Sequence, residues 1–88
     1  MLFTKKGVFT EEDARKVVEW MGSHPEEREL IVMAESVTPE AKRRLWDYAR
    51  AVQLMADMTR EERSVKVEIL EGFVSDKVKG LNVEELGT

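Results

Sequence analysis

The chain has 88 residues, 42% hydrophobic and 36% charged, with a formal net charge of -4, one histidine and no cysteine. That length fits one domain with a small core; disulfides and thiolate metal sites are excluded, and a lone His24 gives no basis for a histidine metal site. The mixed, mildly acidic charge gives no basic stripe for sequence-independent nucleic-acid binding, and no run approaches the ~20 apolar residues of a membrane span.

Residues 1–9 hold Leu2, Phe3, Val8 and Phe9 around a Lys-Lys-Gly break, and read as an N-terminal arm or a short edge strand. The segment has no apolar stretch of signal-peptide length, so a cytoplasmic protein is expected. Thr10 is a good helix N-cap, and Thr10 with Asp13 approximates a capping box. Glu11, Glu12 and Asp13 suit the positive end of a helix dipole. Ala14, Val17, Val18 and Met21 then share one face, Trp20 lies off it, and Gly22 ends the helix.

Pro25 fits the first turn of a second helix, with Glu26 and Glu27 on its dipole. Leu30, Met33, Ala34 and Val37 form one face of it. Ile31 and Val32 point elsewhere, so this helix is apolar nearly all round. The run Leu30 to Ala34 is equally what a buried strand looks like; the flanking helix formers Glu26, Glu27 and Glu29 favour helix.

Thr38-Pro39-Glu40 is the strongest local signal: Thr caps, Pro takes the first helical position and Glu sits on the dipole. The helix predicted from there runs to about Asp57. Ala41, Leu45, Tyr48, Ala49, Val52, Met55 and Ala56 share its broad apolar face. Arg43, Asp47 and Arg50 occupy the opposite side, from which Leu54 projects, with Trp46 flanking it. Thr59-Arg60-Glu61-Glu62 is a capping-box pattern that predicts a fourth helix over about 60–79, supported by Leu70, Phe73, Val74, Val78 and Leu81. Val65, Val67 and Ile69 alternate instead, so a strand at 64–71 competes. Gly80 suits a C-cap, and 82–88 reads as a peripheral acidic tail.

The fold class expected is mostly α, a single domain built as a small bundle of three to four helices with an N-terminal arm. The alternative is α+β, with short strands near 29–34 and 64–71.

Enzyme chemistry is not expected. The acidic clusters at 11–13, 26–27 and 61–62 are explained by helix starts. Glu35 is better read as exposed or paired with Arg43 or Arg44 than as a catalytic carboxyl. His24 beside Ser23 sits in a turn without the third group a hydrolytic triad needs. Phosphate loops, zinc-protease motifs and calcium loops are absent. No cofactor or small-molecule substrate is implied.

Residues 27–57 resemble the C-terminal helical association segment of phage-repressor-like helix-turn-helix regulators. Ser36, Val37, Thr38, Pro39, Glu40, Arg43, Leu45, Tyr48 and Ala49 carry the likeness. The resemblance implies self-association through an amphipathic helix. It does not imply DNA reading, because the only candidate recognition helix is the apolar one, which exposes few polar groups to base edges.

The function expected is therefore a non-enzymatic interaction or regulatory module, associating with itself or another protein through Trp46, Tyr48, Arg50, Leu54 and Phe73. The alternative is a small DNA-binding transcriptional regulator using Lys42, Arg43, Arg44 and Arg50, with Trp46 available for stacking.

Overall fold

Leu2–Phe9 forms a strand, β1, inside a sheet and not a peripheral arm. The computed structural model describes residues 1–72, 74 and 77–86. After β1 come α1 (Glu11–Ser23), β2 (Glu29–Val37), α2 (Pro39–Thr59), β3 (Lys66–Glu71), β4 (Leu81–Asn82) and a 3-10 turn at Val83–Glu85. The strands make one parallel sheet in the order β3-β2-β1-β4. This is an alternating α/β fold, so the expected bundle of three to four helices is overturned.

Two expected helices account for the error. The stretch 29–37 is β2, with β1 on one edge and β3 on the other. Leu30, Val32 and Ala34 are buried against the helices, while Ile31 and Met33 alternate onto the other face. Ile31 and Met33 are themselves partly covered, so the stretch 30–34 reads as a near-continuous apolar run. Such a run satisfies a helix wheel as easily as a strand. Here pairing along both edges overrode the helix preference of the flanking glutamates.

The predicted fourth helix fails for a different reason. Thr59 does not open a helix; it closes one. Its hydroxyl donates back to the Met55 and Ala56 carbonyls at 3.0 and 3.3 Å. Arg60 follows at φ 59°, the left-handed conformation that ends many helices, and Glu61 N–H donates to the Ala56 carbonyl at 2.9 Å. The chain then extends into β3, where Val67 is buried and Ile69 packs beside it. Strands thus occupy the two places where the alternative reading put them, but they alternate with helices and run parallel, unlike a segregated α+β fold. Phe73, assigned to the predicted helix, lies outside the described residues.

The connections β1-α1-β2 and β2-α2-β3 step in the same direction along the sheet. Right-handed crossovers therefore put both helices on one face, where they pack on each other. Phe3 and Phe9 of β1, the buried residues of β2, Val67, and Ala14, Val17, Met21, Ala41 and Leu45 of the helices make the core, with Val83 added by the 3-10 turn. Trp20, off the apolar stripe of α1, still joins the core by standing edge-on to Phe3 at 5.4 Å. One extra residue bulges β1 between Lys5 and Val8, where Gly7 takes φ 100°.

Gly80 lies against the face of β1 away from the helices: a methyl group there would come within 2.9 Å of Leu2 Cγ and the Leu2 carbonyl. Gly22, near the end of α1, has open space around it. Gly80→Ala should lower stability by about 1–3 kcal/mol through overpacking, whereas Gly22→Ala should raise it by about 0.5 kcal/mol. Urea unfolding of the two variants reads both signs.

Candidate functional site

In open parallel sheets ligands bind beyond the carboxyl ends of the strands, at the point where strand order reverses. Here that edge is occupied by the protein's own groups. The first turn of α1 carries Glu11, Glu12 and Asp13, and that of α2 carries Glu40. Each helix start, where a phosphate would be drawn, already faces carboxylates. Glu71, at the end of β3, accepts the Val37 N–H at 2.8 Å and Lys42 Nζ at 3.3 Å. The Val37 N–H, followed by Lys42, holds this carboxyl below its ordinary range. Arg44 bridges from α2 to Glu11 at 2.8 Å.

Strand order reverses between β1 and β4. The Val83–Glu85 turn packs there against α1 and β1, and Val83 is fully buried. Beside it Lys5 Nζ meets Asp13 Oδ2 at 2.5 Å, with both side chains largely covered. The same carboxylate accepts the Thr10 N–H at 2.8 Å and the Thr10 hydroxyl at 3.0 Å. Burial opposes ionisation of Asp13, but Lys5 and these two donors outweigh it and hold the carboxyl below its usual range. This pair has the look of a catalytic couple, yet Asp13 Oδ2 is engaged in completing the capping box of α1 and in neutralising Lys5.

The other sequence candidates for chemistry are consumed in the same way. His24 is the C-cap of α1: its Nδ1 lies 2.8 Å from the Trp20 carbonyl and its ring stacks on Trp20 at 3.7 Å. Ser23 Oγ donates to the Glu19 carbonyl at 3.3 Å, so Ser23 and His24 finish a helix and form no nucleophile–base pair. Glu35 is exposed. Among the described residues no group of three His, Cys, Asp or Glu could hold a metal ion. No helix among them is long and apolar enough to cross a membrane.

What remains is the outer face of α2. With 21 residues against 13 in α1, α2 outruns its neighbour by roughly 12 Å at about 1.5 Å per residue. In its last turns only Ala56 is buried. Leu54, Met55 and Met58 are 62%, 66% and 77% exposed, and Trp46 is 47% exposed. Ala51, also exposed, falls on the same stripe at a spacing of three and four. Tyr48 turns inward against the core, and its partial burial raises its hydroxyl pKa. Of the residues predicted for partner binding, Trp46, Arg50 and Leu54 lie on the outer surface, Tyr48 does not, and Phe73 lies outside the described residues.

Met55 and Met58 are the additions. Met55 fits the inward stripe by spacing, and Met58 follows the predicted end of the helix. Nothing local showed that α2 would extend past the layer it packs on.

The basic side of α2 is largely paired with acids. Lys42 bonds Glu71, Arg44 bonds Glu11, and Arg50 lies 3.8 Å from Asp47. Arg43 lines a shallow polar groove with Glu11, Glu40, Arg44 and Asp47.

Comparison of the chain with protein-family models, with curated proteins and with solved structures returned no match. The stretch 27–57, expected from the sequence to be two helices, is here mainly the strand β2 and the helix α2 joined at Thr38.

Because the folded state depresses its pKa, Asp13 contributes stability above its ordinary value of 3.8, and that contribution is lost as pH falls through the lower folded value. Asp13→Asn should cost about 2 kcal/mol at pH 7, through a weakened cap and an unpaired Lys5. The gap from wild type should narrow at pH 3. Urea unfolding at the two pH values checks both statements; an equal gap at both would assign the cost to packing alone.

Proposed function

We propose that this protein is a non-enzymatic protein–protein interaction module whose contact surface is the outer face of the C-terminal half of α2. The observation that carries this reading is the run Leu54, Met55 and Met58, all more than half exposed on consecutive turns of one helix. Single exposed apolar residues are ordinary on protein surfaces, but a contiguous patch rimmed by charge marks a contact site. Methionine suits such a surface, because its unbranched, polarisable side chain adapts to the shape laid against it. Trp46 extends the patch one turn at a time through Arg50 to Leu54, at intervals of four residues. Tryptophan and arginine are the side chains that anchor interfaces most strongly.

The DNA-binding alternative draws less support. Three of its four basic residues already face carboxylates, and a net charge of -4 works against phosphate.

A photo-crosslinking amino acid at position 58, introduced into the protein in the cells that make it, should yield a covalent protein adduct, whereas the same probe at Glu19 on α1 should yield none. Absence of any adduct at 58 overturns the reading. Leu54→Lys with Met58→Lys should change unfolding stability by no more than about 0.5 kcal/mol, as for surface positions in general, while abolishing the adduct formed by a probe at position 55.

A further inference from the structure

We infer that the occupant of this surface is a second copy of the chain, with the two α2 helices antiparallel across a two-fold axis near Leu54. This rests on α2 being the contact surface and adds the identity and geometry of the partner. Ala51, Leu54, Met55 and Met58 make one stripe at spacings of three and four, and all four are exposed. A two-fold axis perpendicular to α2 lays this stripe on itself. Ala51 then faces Met58 of the other copy, a small residue against a long one, and Leu54 and Met55 meet near the axis.

The flanking charges favour the same arrangement. Arg50 and Asp57 are seven residues apart, two helical turns, and so lie on the same side of the stripe. In a two-fold antiparallel pair each flank meets its own copy. Arg50 therefore meets Asp57 of the second chain, and the exchange repeats across the axis. Parallel pairing brings opposite flanks together and leaves both charges without a complement. Within one chain Arg50 lies 3.8 Å from Asp47, with both side chains well exposed, and exposed Asp57 accepts the Gln53 amide at 2.9 Å. These groups can therefore turn outward at little cost. A contact of two to three helical turns buries less than the roughly 800 Å² per partner of a standard interface. The dimer is accordingly reversible and concentration-dependent.

Because the chain has no cysteine, single introduced cysteines report the geometry directly. Oxidising a mixture of Ala51→Cys and Met58→Cys chains should give the mixed disulfide in preference to either homodimer. Sedimentation equilibrium of the wild-type chain should show a monomer–dimer exchange, weakened about tenfold by Arg50→Asp. Restoration in the doubly swapped Arg50→Asp, Asp57→Arg chain is expected, and failure to restore overturns the ion pairs. Predominant 51–51 and 58–58 disulfides overturn the antiparallel geometry. A monomer at every concentration up to about 1 mM overturns the second copy as partner. In that case an adduct of foreign mass at position 58 would leave the interaction reading standing, and no adduct would end both.

Discussion

β2 is hydrogen-bonded along both edges, to β1 from Leu2 to Phe9 and to β3 from Lys66 to Glu71. The rest of the molecule depends on that central position. Parallel neighbours cannot be joined by a tight turn, so each edge of β2 requires a crossover, and α1 and α2 are those crossovers. Their shared handedness puts them on one face, where Leu30, Val32 and Ala34 meet Val17, Met21 and Leu45. A strand so placed has no exposed backbone edge, and its alternate side chains Leu30, Val32 and Ala34 are buried.

The same layout explains the chemistry of the carboxyl edge. Parallel strands followed by helices bring both helix starts to one side of the sheet, where two positive dipole ends gather. In many α/β proteins an anionic ligand satisfies them. Here Glu11, Asp13, Glu40 and Glu71 do so, with Lys5, Lys42 and Arg44 balancing the carboxylates. The charges at that edge are paired largely among themselves, and among the described residues the most exposed large apolar side chains, Leu54, Met55 and Met58, lie on α2.

Helix capping was legible because it is local. Thr10 and Asp13 bond each other's backbone N–H, and the Thr38 hydroxyl accepts the Ala41 N–H, all within three residues, and both helices begin where those residues lie. Thr59-Arg60-Glu61-Glu62 was misleading for an equally local reason: a hydroxyl that can cap the next helix can also bond back to the last turn of the previous one. Trp46 and Leu54 were legible as surface residues because they stand off the inward stripe. Met55 and Met58 were not, since their exposure depends on where the underlying layer stops.

By itself the sequence determined both helices with their starts, the absence of cysteine chemistry, and the outward placement of Trp46, Arg50 and Leu54. These follow from spacings of three and four and from bonds between near neighbours. Only the tertiary structure decided that 29–37 and 66–71 are strands, that the first segment lies inside the sheet, and that the helix end beyond α1 is bare. Each of those depends on pairing between residues far apart in the chain. Leu2 aligns with Ile31, and Ile31 in turn with Glu68, a relation no local pattern encodes.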